Sequence, residues 1–387
     1  MNRISKWMIV AGFAISPIIR LQAQEMQQEA PITFNAGFVG DYINNFSGGI
    51  RQGNTSLGLI NLSAELNTDK AGLWKNGKFV VHSHNVVGNH PSENLIGDVQ
   101  VASNIDGYTN RFLYEFYYKH TLGKLSVLGG FHNLNEAFYA SSFAGLFVNS
   151  SFGISPSLSL NNAISIFPTS TLGGIVRYDD ENFSLLTGFY NYNHLFASEE
   201  SFRLKNHLFN KGFYSLAEAQ FRVPTGNVTG EYKLGASYRR CNDTHPEPTA
   251  DCASRNNYSV YFLADQPLLK NKSGRDVGVF VQTGFSPRKD NANPLYVAGG
   301  LRLKGFLTHG KEDVLGLAFA SARLNQFSES NLNFEYLGNE SIVELTLKLP
   351  VHPKINIQPD FQYIINPSGG PALSNAFVSI IRTEINF

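Results

Sequence analysis

Charge is the first thing this sequence has little of. Asp, Glu, Lys and Arg make up 16% of its 387 residues, against about 25% in ordinary globular domains. The 31 basic and 31 acidic residues cancel, so no basic face points to nucleic acid. There are two cysteines, too few for a disulfide-rich scaffold and poor evidence for a metal site. No G-x-x-x-x-G-K-[ST] loop occurs and no serine sits in a nucleophile elbow, so neither a P-loop NTPase nor an α/β-hydrolase is indicated. Ser, His and Asp are all present, and a triad is recognised by geometry rather than by counting, but an enzyme is not the expectation and no cofactor is implied. A long apolar run is also missing. Trp7 to Ile19, behind Arg3 and Lys6, is shorter than the roughly 20 residues of a spanning helix. With Leu21-Gln22-Ala23 after it, the stretch reads as a secretory signal over 1–23.

Aromatics (30 Phe, 17 Tyr) and glycine (35) are plentiful. The chain-final stretch Ser374 to Phe387 shows their arrangement. Phe377, Ile381, Thr383, Ile385 and Phe387 fall on one side of a strand, and Arg382, Glu384 and Asn386 on the other. A strand with lipid outside and water inside has this form. Its natural partner is the first strand, closing a barrel with no edges.

About 16 such period-2 segments follow one another, from Ile32–Tyr42 to the closing strand. Glu218, Gln220 and Arg222 alternate with Ala217, Ala219 and Phe221. Glu344, Thr346 and Lys348 alternate with Val343, Leu345 and Leu347, and Asn356, Gln358, Asp360 and Gln362 with Ile355, Ile357, Phe361 and Tyr363. The polar members are lumen candidates, because Arg or Lys at a bilayer midplane costs about 2–4 kcal/mol. Short connections alternate with mostly long ones, the larger near 88–107, 132–170, 193–212, 240–257 and 325–340. The expected fold is all-β: one transmembrane antiparallel barrel over 24–387, with short periplasmic turns and long extracellular loops.

A barrel of this size keeps an aqueous channel, so selection needs a narrowing. Loops 88–107 and 132–170 are the candidates; the apolar run Phe143-Ala144-Gly145-Leu146-Phe147-Val148 belongs inside rather than in water. Asp98, Gln100, Asn104, Asp106, Arg111 and Glu115 would form one wall of the narrow point. Asn135 and Glu136 would open the inward loop, and Arg177 would project into the lumen. Lys119 continues the face of Arg111 and Glu115. The plainer role for all of these is anchoring the loops. Solute contact is the expectation for Arg111, Glu115 and Arg177, and anchoring is at least as good a reading for the Gly97-Asp98 and Ser103-Asn104 stretches. His82 and His84 share a strand face and His90 follows, but no cysteine or carboxylate shares that spacing, so no metal is expected. Cys241 and Cys252 fall in one external loop of an exported chain, and a disulfide pinning that loop is expected.

Many of these segments resemble the carbohydrate-selective porin family (OprB-type porins), in order, over nearly the whole mature chain. They include Leu57-Gly58-Leu59, Ile96-Gly97-Asp98-Val99-Gln100 with Ser103-Asn104-Ile105-Asp106, and Leu113-Tyr114-Glu115. The most specific is Ala144-Gly145-Leu146-Phe147-Val148-Asn149-Ser150-Ser151-Phe152-Gly153-Ile154-Ser155-Pro156, and Gln358-Pro359-Asp360-Phe361-Gln362-Tyr363 comes near the end. The resemblance implies an outer-membrane channel through which mono- or small oligosaccharides diffuse passively. A lumen rich in amides, with both signs of charge, suits neutral hydroxylated solutes. A general porin is the alternative on the same scaffold, and a barrel enzyme or adhesin the alternative of another class. Sugars and outer-membrane lipid are the expected partners, and monomer and trimer both stay open.

Overall fold

The computed structural model describes residues 30–107, 113–192, 209, 211–242, 256–271, 274–307, 312–328 and 333–387, with the side chains of 327–334 left aside. The signal segment, Arg111 and Cys252 lie outside the described residues, as does most of the loops near 193–212 and 240–257.

Sixteen antiparallel strands close into one barrel. They are β1 (Ile32–Gly49), β2 (Gly53–Asn67), β3 (Gly77–Gly88), β4 (Glu115–Leu122), β5 (Leu125–His132), β6 (Thr171–Asp179), β7 (Phe183–Asn191) and β8 (Gly212–Thr225) in the first half. The second half holds β9 (Val228–Cys241), β10 (Asn256–Lys270), β11 (Asp276–Phe285), β12 (Leu295–Lys304), β13 (Val314–Ser328), β14 (Asn333–His352), β15 (Ile355–Ile365) and β16 (Ser374–Asn386). β16 pairs with β1 in the register Tyr42↔Ile381 and Asp41↔Arg382, which leaves neither strand with an unpaired edge.

Alternation sets the two faces. Along β7, Leu185 and Phe189 point outward and are about half exposed, while Ser184, Leu186 and Tyr190 are buried inside. Phe221, Leu345, Phe361 and Tyr363 face outward likewise, opposite buried Glu218, Glu344, Asp360 and Gln362. The outward residues supply the lipid face a membrane barrel needs.

Several strand boundaries differ from the sequence reading, and the first strand runs on to Gly49 rather than ending at Tyr42. The fourth strand starts at Glu115 rather than Arg111, because Tyr114 turns in to stack on His84, with ring centroids 4.1 Å apart. The connection expected near 325–340 is largely strand. Asn325, Gln326 and Phe327 pair with Tyr336, Glu335 and Phe334 beyond a register shift at Leu324. In sequence the polar run Ser328-Glu329-Ser330-Asn331 reads as a loop and hides the alternation of Leu332, Phe334 and Tyr336 with Asn333 and Glu335 beyond it.

The interior is not an empty tube. The β5–β6 connection folds inward in short helical turns at Leu134–Glu136, Ala144–Leu146, Ser150–Gly153 and Pro156–Ser159. One side of the lumen is apolar to receive it. Phe138, Tyr139, Ile154 and Leu158 pack on Leu186, Tyr190, Tyr214 and Tyr261. Phe143, Phe147 and Phe152 pack on Phe280 and Tyr296. Each buried aromatic contributes about 1.5–3 kcal/mol. Glycines in the wall make the fit possible: a Cβ at Gly278 would stand 2.2 Å from the Phe143 ring, and one at Gly316 2.7 Å from Leu146. The β3–β4 connection is held at the opposite wall, where Leu95, Ile96, Ala102 and Ile105 meet Ile43, Ile342, Ile364 and Ile380.

The closing seam carries a buried ion pair. Arg382 Nε and Nη2 donate to Asp41 at 2.8 Å each, and Ser103 Oγ donates to the same carboxylate at 2.6 Å. Both charged side chains are within a few per cent of full burial. Asp41→Ala therefore leaves an uncompensated guanidinium, at a cost of about 3–5 kcal/mol. Heat-unfolding of the detergent-solubilised barrel should show a clear fall in midpoint, partly restored by adding Arg382→Met. An unchanged midpoint in Asp41→Ala would contradict this reading of the seam.

Candidate constriction site

Backbone N–H groups inside a barrel need acceptors once water is displaced. Here carboxylates on the wall supply them. Glu344 of β14 accepts from Val148 N at 2.6 Å and Asn149 N at 3.1 Å. Glu218 of β8 accepts from Tyr139 N at 2.8 Å and from the Tyr261 hydroxyl at 2.7 Å. Asp265 of β10 takes Ser142 N at 2.8 Å and Ser141 Oγ at 2.6 Å. Glu340 of β14 does the same for the β3–β4 connection, accepting from Val99 N and Gln100 N at 2.9 and 2.8 Å. Wall amides complete the set: Gln362 Nε2 donates to Ala102 O, Gln358 Nε2 to Leu146 O and Gln282 Nε2 to Phe152 O.

Two cavities touch Asn133. The larger, about 390 Å³, lies between the two inward connections and is lined by Gln100, Asn104, Asp106, Asn133, Asn135, Ser150, Ser151 and Phe167, among others. The smaller, about 240 Å³, is lined by Tyr117, Lys119, Ser126, His132, Asn133, Glu136 and Arg177. The structure thus brings Gln100, Asn104, Asp106 and Asn135 together in one space, and Glu136 and Arg177 in the other.

Their engagements differ. Asn104 donates its backbone N–H to Val148 O, while its side-chain amide has no partner among the described residues. Asn135 is tied down: its Nδ2 donates to Phe138 O and Gly153 O at 3.1 Å each. Asp106 Oδ1 lies 2.9 Å from His90 Nδ1, and Oδ2 accepts from Ser92 N. Burial raises the Asp106 carboxyl despite these bonds. Glu115 is 1% exposed; it accepts from Asn133 N at 2.7 Å and meets His82 Nδ1 at 2.9 Å, an anchoring geometry. Arg177 lies along the wall, donating to Asp179 at 2.8 Å and Gln220 at 3.2 Å. Glu136 faces the lumen; crowding by the surrounding protein, and then Glu115 beside it, push its carboxyl up to about 7. The three histidines weighed together in sequence separate: His82 and His84 touch, while His90 belongs to Asp106. Cys241 is buried at the end of β9.

Sequence reasoning did not pick out Asn133, Ser150 or Phe167, which line the larger cavity, nor Tyr117 and His132 in the smaller one. Asn133 has a local signal: it caps the Leu134–Glu136 turn, its side chain accepting from Asn135 N at 3.0 Å. The anchoring roles of Glu340 and Asp265 have none, since the inward-connection residues they hold are more than 120 residues away.

A closed 16-stranded barrel, with inward connections hung on wall carboxylates and an amide-lined opening between them, matches a known family. The model of the carbohydrate-selective porin, OprB family, covers residues 51–387. The chain belongs to that family. It is a sugar-selective porin of the outer membrane. Among solved structures, Pseudomonas putida OprB at high pH superposes with a TM-score of 0.81 at 19% identity, over 92% of this chain and 94% of that one. The low-pH structure of the same protein gives 0.56 at 17%, over 92% and 93%. A loop-deletion mutant of OmpT, an outer-membrane protein of Vibrio cholerae, gives 0.53 at 10%, over 92% and 100%. At these identities the likeness is one of fold. No curated protein matches in sequence.

One titration in this porin's interior has a measurable consequence. Burial, and then the nearby Glu340 carboxylate, push the Asp98 carboxyl up to about 7. An unfolded Asp titrates near 3.9, so the folded state holds this proton more tightly. The stability it contributes is full below pH ~4 and lost as pH rises through ~7. The heat-unfolding midpoint should fall over that window, and Asp98→Asn should flatten the fall. An equally steep fall in the variant would assign it to another group.

Proposed function

We propose that mono- and small oligosaccharides cross this porin through the larger cavity, down their gradient, with no energy coupling. One observation carries this reading: Asp106, the charged residue among the described lining of the cavity, is engaged by His90 and Ser92, while neutral polar groups are left open. The Asn104 amide, Asn133 Nδ2 and the Ser150 hydroxyl have no protein partner among the described residues and line the same space. Donors and acceptors of that kind replace water on sugar hydroxyls, and Phe167 offers an aromatic surface to the C–H faces. Contacts of this number and neutrality keep binding weak enough for exit. In this reading Asp98, Gln100, Asp106, Asn135 and Glu115 hold the narrow point in shape, and Asn104 touches solute. Glu136, Lys119 and Arg177 set the field in the adjoining cavity. Arg111 is assigned to the same wall by its place before Glu115. Removal of a 1–23 signal and a Cys241–Cys252 bridge in the loop after β9 accord with export to an oxidising compartment.

Liposome swelling tests the proposal. Glucose should enter faster than an amino acid or organic acid of similar size, with a disaccharide slower but measurable. Asn104→Ala should narrow the gap between glucose and the amino acid without changing the expression or folding of the barrel. Entry ranked by size alone would make this a general porin and overturn the sugar path described here.

A further inference from the structure

At the foot of the inward β5–β6 connection, three side chains from three elements converge: His82 of β3, Glu115 at the start of β4, and Glu136 of the Leu134–Glu136 turn. Their ligand atoms all lie within 4.8 Å of one another. They are 33 and 21 residues apart in sequence, so no spacing rule could unite them.

Two of the three are held in place by further contacts. Glu115 spends Oε1 on the Asn133 N–H and turns Oε2 toward His82 Nδ1, 2.9 Å away. The other end of the His82 ring, Nε2, lies 2.9 Å from Nε2 of His84. His84 is itself buried, stacked on Tyr114 and packed against Phe167, and its Nδ1 is buried without a partner. Glu136 is the solvent-facing member. Its carboxylate has no hydrogen bond and no ion pair among the described residues, yet it is turned toward a second carboxylate. Lys119 and Arg177 line the same cavity, but neither reaches it, and Arg177 is taken by Asp179. Two carboxylates this close repel, and either a proton or a cation between them relieves the repulsion.

A neutral imidazole nitrogen with two carboxylate oxygens is a donor set for a first-row divalent ion. Three protein ligands leave a position open to water. The supporting contacts on Glu115 and His82 are of the kind that orient metal ligands. We propose that His82, Glu115 and Glu136 bind a divalent transition-metal ion of the Zn²⁺ type in the pore lining. The ion takes the place of the proton between His82 and Glu115, gives Glu136 its missing partner, and ties β3, β4 and the inward connection together. The site lies in the adjoining cavity and shares Glu115 with the sugar path, where that residue braces Asn133; Glu136→Gln leaves that brace in place, so loss of metal binding and loss of sugar selectivity are read separately.

The test uses full-length porin purified without a polyhistidine tag. Zn²⁺ is titrated by calorimetry and, in parallel, against single-channel conductance in a planar bilayer. Wild type should bind Zn²⁺ and change conductance, with Mg²⁺ at the same concentration inert. Glu136→Gln and His82→Ala should each weaken both effects by about tenfold or more. Glu136 makes no hydrogen bond among the described residues, so its variant separates lost binding from lost folding. His120→Ala, at a histidine outside the cluster, should respond as wild type does. A zinc-edge anomalous peak among the three side chains would fix the site. No binding by wild type, or binding kept in full by Glu136→Gln, would overturn the proposal.

Discussion

The interior of this porin depends on one requirement: a polypeptide folded into a barrel lumen must find acceptors for its own N–H groups. Five wall carboxylates meet it, Glu115, Glu218, Asp265, Glu340 and Glu344. Hydrogen bonds to an ionised acceptor are shorter and about twice as strong as neutral ones, which suits a point where one side chain must hold a turn of backbone. The apolar clusters give the inward connection its burial, but they are not directional. The carboxylates fix which residue of the connection sits against which strand.

That use of charge shapes what the channel can discriminate. A lumen that reads in sequence as mixed charge is, in three dimensions, largely spent on itself: Asp41 on Arg382, Arg177 on Asp179, Glu218 on the Tyr139 backbone. What stays open in the larger cavity is neutral. In the proposed sugar path, selection for uncharged, hydroxyl-bearing solutes follows from which groups are left over. The departure is the smaller cavity, where Glu136 and Lys119 have no ion-pair partner among the described residues.

Much of the fold was legible because the membrane imposes a strict period of two. The faces of β16, β15 and β8 could be assigned from sequence, since a misplaced Arg382 or Glu218 would sit in lipid. The inward fate of the run around Phe143–Val148 was legible for the same reason in reverse. The hairpin end near 325–340 was not, because the polar run at 328–331 reads as a loop and masks the short alternation after it. The apolar wall that receives the inward connection was also hidden. Leu186, Tyr190 and Tyr261 face the lumen, yet their residue types match those facing lipid. Within the site, sequence could gather Gln100, Asn104 and Asp106 because they are neighbours. It could not tell that Glu115 serves Asn133 and His82 or that Glu136 stands beside them, since those meetings are made by topology.

The most direct measurement is hydrogen–deuterium exchange of the intact porin in detergent, read at the backbone amides of Asn133, Tyr139, Ser142, Val148 and Asn149. These lie in irregular connections, where exchange is ordinarily fast. If wall carboxylates hold the inward connection, these amides will exchange as slowly as those of the barrel strands. Their neighbours without a wall partner will exchange faster. Uniformly rapid exchange across 133–170 would show that the connection is not fixed by these bonds, and the account of the pore's shape would fail with it.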